Sequence, residues 1–458
     1  MLIEYLSLRS RSRLINLVFL LGVGCFGTLA QADMAYVTSG SNVIAIDTTN
    51  NSVVKTVTIT GAVNVGIVVS PNGKHVYVVD QERSRVTVID TGTYSVVDTI
   101  PVGEYPVTIA LNPSGTRAYV PSREKDNVSV IDTSTFGVIS VIPVGDWPDG
   151  ITTSPSGKRV YVANSFDNTV SVIDTTNDKN TVIATVPVGV YPWSVVVSPD
   201  NKRVYVTNQG SGTISVIDAT NDKNTVMGEV KVGEAPTGIA INPAGTRVYV
   251  TNMGNSSNVS VIDVSNDKNQ VIDTVKVGYW PIGVAVTPNG KFVYVANLGS
   301  GRGGDGKTAS VIDSSTNTVI ATVTAGVGAG QVAIRQVTNC DEVTEIPVAE
   351  CKELLRLYNE TGGPNWTWYG GGWNQTNTPC SWNGVMCNYW DGIGHVVEIY
   401  QEDDNLSGSL PDLRLPYLLR LYLWGNQLTG NIPSFSGSPK LEELSLGGNQ
   451  FTGSIPNL

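Results

Sequence analysis

Arg159-Val-Tyr-Val-Ala-Asn164, a short link Ser165-Phe-Asp-Asn168, and then Thr169-Val-Ser-Val-Ile-Asp174 form the stretch whose reading decides the fold. Apolar and polar residues alternate in both halves, the period of a half-buried strand. β-Branched residues dominate, as a pleated surface favours. Outward from this pair, Trp147-Pro-Asp-Gly-Ile-Thr-Thr-Ser154 reads as a preceding inner strand and Pro155-Ser-Gly-Lys158 as a tight turn. Val182-Ile-Ala-Thr-Val-Pro-Val-Gly189 reads as a fourth strand. The unit recurs. Its Tyr-Val pair stands at Tyr36, Tyr77, Tyr119, Tyr161, Tyr205, Tyr249 and Tyr294, with steps of 41 to 45 residues. Its closing acid stands at Asp47, Asp90, Asp132, Asp174, Asp218, Asp263 and Asp313. Four short strands in about 42 residues is the period of a propeller blade.

The two ends of the array predict ring closure. The first copy begins at a second strand, Met34-Ala-Tyr-Val37, and the last ends on a spare inner strand, Gly330-Gln-Val-Ala-Ile-Arg335. Pairing them completes seven blades and removes an open edge. The fold class expected is mainly β: a seven-bladed β-propeller over residues 33–336, followed by a short leucine-rich repeat solenoid.

Tyr-Val-x-Asn is intact at Tyr161–Asn164, Tyr205–Asn208, Tyr249–Asn252 and Tyr294–Asn297, with Val-Ser-Val-Ile-Asp and Pro-x-Gly-Ile-Ala segments around it. Residues 34–336 thereby resemble the YVTN-type β-propeller repeat family of prokaryotic exported and surface proteins. Ser39, Asp80 and Ser122 depart from the usual Asn. All are small and polar, so the hairpin is expected to survive.

Residues 1–32 read as a secretory signal: Arg9, Arg11 and Arg13, an apolar run Leu14–Ala30, and a small-x-small end at Ala30-Gln-Ala32. The run is short for a membrane anchor. A lipoprotein reading through Cys25 is weakened by Gly22, where leucine is usual. The expected location is therefore the periplasm, cell surface or exterior of a prokaryote, Gram-negative by preference, with no membrane span in the mature chain.

Four cysteines follow the array: Cys340, Cys351, Cys380 and Cys387. An even count in an exported chain favours disulfides. Three pairings are possible, of which local pairing, Cys340–Cys351 and Cys380–Cys387, is the expectation. The spacings lack the Cys-x-x-Cys knuckle of a zinc site. Pro347–Glu360 turns helical, with Ala349, Leu354, Leu355 and Tyr358 on one face.

Then Leu418-x-x-Leu421-x-Leu423-x-x-Asn426-x-Leu428-x-Gly430-x-Ile432-Pro433 recurs from Leu441 to Pro456. With Cys380-Ser-Trp-Asn-Gly-Val-Met-Cys387, residues 340–458 resemble the plant-type leucine-rich repeat subclass and its cysteine-paired cap. The expected division is a cap at 337–395 and about three repeats at 396–458. The first copy is imperfect, with Gln401 at a leucine position and Asp404 at an asparagine position. The array reaches Leu458 without a C-terminal cap.

Chemistry-bearing motifs are few. Gly301–Thr308 spells the phosphate-loop pattern, but the third blade strand follows it where a helix is required. The only histidines are His75 and His395, neither near a nucleophile in sequence. The seven blade aspartates read as turn caps. Asn-Asp-Lys-Asn at residues 177, 221 and 266 onward reads as a polar hairpin turn rather than a calcium loop. No catalytic residue, metal site or cofactor is expected.

The binding candidates are aromatic: Tyr105, Trp147, Tyr191 and Trp280 at the entry to the inner strands, beside Trp193 and Tyr279, with Ala235 at the equivalent place in one blade. The loops between second and third strands open on the same face and bring Arg83, Arg85, Arg123 and Lys125. Such rings suit recognition; the competing reading is that they wedge between blades. Net charge is -11, and removing the signal's net +2 leaves -13, which argues against nucleic acid. One exported relative in the family has been linked to DNA. The expectation is an exported, non-catalytic recognition or scaffold protein, monomeric, contacting protein or glycan partners through both domains. The alternative is a propeller enzyme, a lyase, lactonase-like hydrolase or quinoprotein, acting at the central channel.

Overall fold

A computed structural model describes residues 34–453, apart from 62–63, 178, 222, 256, 267, 300–307, 327, 336–339, 341–342, 344, 363–365, 367–372, 374–378 and 391. The expected signal segment and the Gly301–Thr308 motif lie outside the described residues, except Thr308, which opens a strand.

Seven four-stranded antiparallel sheets form the propeller. Blade four is typical: Pro148–Thr153, Arg159–Asn164, Thr169–Asp174 and Thr181–Pro187, in that order from the inside out. Closure is as the chain ends predict. Ala329–Arg335 pairs antiparallel with Met34–Ser39, so the last propeller strand in sequence is the innermost strand of blade one.

The repeat residues explain the blade. Each Tyr of the Tyr-Val pairs is at most 3% exposed, and the flanking valines are buried between neighbouring sheets. Burying such a side chain is worth about 1.5–3 kcal/mol. The asparagine ties the second strand to the third. Asn164 Nδ2 donates to Thr169 Oγ1 (3.0 Å) and Ser171 Oγ (2.9 Å), and Asn208 repeats this with Thr213 and Ser215. The serine of Val-Ser-Val-Ile-Asp is therefore a partner of the asparagine. Where Asn is replaced, the hairpins remain paired, and buried Asp80 instead accepts from Arg85 Nε at 3.0 Å.

Threonine in the motif joins blades. Thr207 Oγ1 accepts the Ser194 N–H (2.9 Å) and donates to the Thr237 carbonyl of the next blade (2.8 Å). Thr251 does the same with Gly238 N–H and Ile282 carbonyl. Inner strands approach so closely that a Cβ on Gly238 would lie 2.2 Å from the Ile282 carbonyl oxygen. All seven blade aspartates cap the turn after the third strand, accepting the N–H and hydroxyl of the following Thr or Ser; Asp174 takes Thr176 at 2.9 and 2.7 Å.

Beyond the propeller, both disulfides link the expected pairs, Cys340–Cys351 and Cys380–Cys387. The helix runs Val348–Glu360, but its buried face is Cys351, Leu354, Leu357 and Tyr358. Ala349 is exposed, which corrects the expected face. The cause is Glu350, which is buried to hold the Val396 N–H (2.8 Å) and His395 Nδ1 (2.6 Å), turning Ala349 outward. Downstream, Ile393–Tyr400, Arg420–Tyr422 and Glu443–Ser445 pair in parallel, as do Ser407–Ser409, Gln427–Asn431 and Gln450–Thr452. Asn426 sits between them, donating to the Gln401 and Leu423 carbonyls and accepting from Asp404 and Leu406 N–H groups. The odd Gln401 is buried, and its Nε2 donates to the Asn383 carbonyl at 2.5 Å, so the amide nitrogen is satisfied.

Candidate functional site

The loops that lead into five of the inner strands are held by the neighbouring hairpin, and some of them from both sides. The N–H of the residue after the motif asparagine position donates to the carbonyl of the loop residue before proline: Arg123 to Tyr105, Ser165 to Trp147, Gln209 to Tyr191, Met253 to Ala235, Leu298 to Trp280. From the other side, Asp126 Oδ1 accepts the Trp147 N–H (3.0 Å) and Asn168 Oδ1 accepts the Tyr191 N–H (2.8 Å). All five loop residues take the left-handed backbone, with φ of 56°, 57°, 58°, 48° and 51° for Tyr105, Trp147, Tyr191, Ala235 and Trp280. A non-glycine residue there costs about 1–2 kcal/mol. The bonds to each loop carbonyl sustain it.

This geometry brings four of the five candidate rings together. Tyr105 and Trp147 lie 6.5 Å apart, Trp147 stacks on Phe166 at 4.7 Å, Phe166 meets Tyr191 at 5.8 Å, and Tyr191 stacks on Trp193 at 6.4 Å. The ladder crosses the loops of blades two to five. Trp280 does not join it. It stands two loops further round with Ala235 between, 44% exposed, beside the exposed Tyr279. Phe166 was missed by the sequence reading; its only sequence signal is a large apolar residue inside a polar hairpin loop. Tyr105 is 39% and Phe166 50% exposed, while Trp147, Tyr191 and Trp193 are partly buried. None of the five rings is fully buried.

Arg123 lies beneath the ladder. Its guanidinium carbon is 5.9, 5.5 and 5.3 Å from the ring centres of Tyr105, Trp147 and Trp193, within cation–π range. It pairs with Asp149, whose carboxyl is buried at the start of the fourth blade's inner strand and also bonded by Ser165. Burial pushes the Asp149 carboxyl above the usual range, with Arg123 and Ser165 pulling the other way. Asp146, on the outer side, is also raised, by desolvation and by the nearby Asp126 and Asp167 carboxylates.

The other candidates have structural roles. Arg83 and Arg85 both face Asp80, and Lys125 pairs with Glu104 at 3.2 Å. His75 packs edge-on against Tyr77 and Phe136, and His395 is held by Glu350. In the Asn-Asp-Lys-Asn turns, Asn177, Asn221 and Asn266 accept the N–H of the lysine two residues on. Where Ala235 stands in place of a ring, a groove of about 890 Å³ opens between blades five and six, lined by Gln209, Ser211, Lys231, Glu234 and Asn258 among others.

The family model described as YNCE-like beta-propeller matches residues 119–348, just over half the chain. The chain belongs to the YNCE-like beta-propeller family. A leucine-rich repeat model matches residues 440–458. No curated protein matches the sequence.

Among solved structures, the chain is similar to Kuenenia stuttgartiensis hydrazine synthase at 26% identity and a TM-score of 0.53, over 59% of this chain and 89% of that one. It is also similar to a functionally unknown protein of Desulfotomaculum acetoxidans (16%, TM-score 0.58, 66% and 98% covered). A third is the periplasmic gluconolactonase of Pseudomonas aeruginosa (16%, TM-score 0.57, 66% and 99% covered). The last two likenesses show the propeller fold alone.

Proposed function

We propose that this protein is an exported, non-catalytic recognition protein that contacts a protein or glycan partner through the aromatic loop face of its propeller. One observation carries the reading. Ala235 holds the same left-handed backbone, with its carbonyl bonded by the hairpin loop, as Trp147, Tyr191, Tyr105 and Trp280, so the fold needs no ring at that position. The rings are surplus to the architecture, and four of them join Phe166 in a part-exposed ladder. Aromatic anchors of this kind dominate binding at interfaces.

Residues 337–395 and 396–458 are read as a disulfide-bonded cap and a leucine-rich repeat solenoid of the plant type. The parallel ladders, the bridging Asn426 and Asn449, and the two local disulfides support this. Its sheet, with Tyr400, Tyr422 and Ser445 in one row, offers a second contact area. Export is supported by the two disulfides and by the signal-like start of the sequence; among the described residues no helix is long and apolar enough to cross a membrane.

The enzyme reading is less favoured. Both histidines are engaged in packing or a carboxylate pair, and the blade aspartates are turn caps. Affinity capture from cell-envelope material with the full chain, repeated with Trp147→Ala, tests the proposal. Specific capture lost in the variant supports it; capture unaffected by the variant removes the face from the site.

A further inference from the structure

The aromatic ladder is set in acid. Its supporting loops, residues 102–106, 123–126, 144–149, 165–168 and 188–193, carry six carboxylates: Glu104, Glu124, Asp126, Asp146, Asp149 and Asp167. They carry two cations, Arg123 and Lys125, and both are already paired, with Asp149 and Glu104. Glu124, Asp126, Asp146 and Asp167 have no cation partner among the described residues. Three of these four are fixed close together by the loop grip. Asp167 Oδ2 accepts the Asp146 N–H at 2.7 Å and Asp126 Oδ1 accepts the Trp147 N–H at 3.0 Å, so the carboxylates gather at the loop that carries Trp147 and repel one another.

We propose that the ligand of this face is a basic peptide segment, a stretch of partner chain presenting arginine or lysine side chains. The proposal rests on the reading of the ladder as a recognition face and names its partner chemistry. Ring faces carry negative charge density and attract a guanidinium or ammonium group. Arg123 shows that these rings accept one, since it already spans three of them from beneath. A second cation arriving from solvent meets the exposed parts of Tyr105, Phe166 and Trp147, with Asp126, Asp146 and Asp167 alongside to pair with it. It also relieves the repulsion among those carboxylates. An acidic peptide or nucleic acid meets the same carboxylates as a barrier. A neutral glycan would use the rings and leave the charges unused.

The test uses the full chain and four probes: a ten-residue peptide alternating Arg and Lys with Gly and Ser, its Glu counterpart, its uncharged Gly-Ser counterpart, and a linear neutral oligosaccharide. Binding is read by tryptophan fluorescence and calorimetry. The basic peptide is expected to bind at least about tenfold tighter than the other three and to weaken severalfold when salt shortens the Debye length from roughly 30 to 8 Å. The double variant Asp146→Asn/Asp167→Asn keeps an Oδ acceptor for the Asp146 N–H, so the loop is preserved. It should lose about fivefold or more in affinity, two exposed charge pairs' worth. Equal binding of the basic and uncharged peptides, or unchanged affinity in the double variant, overturns the proposal. If the neutral oligosaccharide binds instead and Trp147→Ala abolishes it, the basic-segment assignment is wrong while the recognition face stands. If no probe binds, the basic-segment assignment again falls, and the envelope capture with Trp147→Ala decides separately on the face.

Discussion

Trp147 and Ala235 hold the same backbone conformation at equivalent positions of two blades, φ 57° and 48°, each with its carbonyl bonded by the neighbouring hairpin loop. A large ring and a methyl group are thus interchangeable as far as the loop is concerned. Trp147→Ala should change stability by less than about 1 kcal/mol, well below the 3–5 kcal/mol of a buried Trp truncation. Trp147→Gly should offset any loss by up to about 1–2 kcal/mol, because glycine takes positive φ without the steric cost that other residues bear there. Thermal melts of the three proteins check this. A drop of several kcal/mol in Trp147→Ala would mean that the ring is a packing wedge.

Closure by Ala329–Arg335 makes the ring one cooperative unit. Ending the chain before residue 326 removes the inner strand of blade one and exposes the edge of Met34–Ser39. The truncated protein is expected to lose stability across all blades together, seen as a single lowered melting transition. A truncated protein that melts like the parent would contradict the role of the last strand.

The two disulfides close loops of 11 and 7 residues. In the chain-entropy model each is worth about 2–3 kcal/mol. Reduction should loosen the region around the helix Val348–Glu360 and leave the cysteine-free blades folded. Non-reducing peptide maps should give the two local pairs, and cross pairs or free thiols would refute them.

Acid should weaken the propeller. Asp90, Asp132, Asp174, Asp218, Asp263 and Asp313 are held below the usual carboxylate range by hydrogen bonds from the residues that follow them. A depressed folded-state value stabilises fully above the unfolded value of about 3.9 and is lost as pH falls through the folded values. Asp149 acts oppositely: its raised value favours the folded state in acid, and that contribution fades as pH rises through it. Six caps against one buried acid predict a melting temperature that falls below about pH 4. Asp174→Ala combined with Asp218→Ala should make the fall shallower. A melting temperature that stays level down to about pH 2.5 would rule out the caps as its source.

Close packing at the inner strands sets a further limit. Gly238→Ala should cost several kcal/mol, because the added carbon meets the Ile282 carbonyl, part of the backbone, at 2.2 Å. Gly228→Ala, with open space around its Cβ position, is the control. Equal melting temperatures for the two variants would dismiss the argument.

Periodicity alone determined the blade count, the closing strand and the aspartate caps, because each is written in short-range spacing that repeats along the chain; for the cysteines it left three pairings, of which the structure has the local one. The same spacing placed Tyr105, Trp147, Tyr191 and Trp193 on one face. It placed Trp280 there too, with Ala235 in the row between, and could not tell which of the rings touch. Which rings touch depends on how far each loop is turned by its hydrogen bonds, and those come from residues some 20 positions away, such as Asp126 for Trp147 and Asn168 for Tyr191. Phe166 entered the ladder, and Glu350 turned the helix face, for the same reason: each acts through a partner on another element. Only the tertiary structure paired Arg123 with Asp149 across a blade joint, 26 residues apart, because burial of one charge requires the other, and no local pattern carries that requirement.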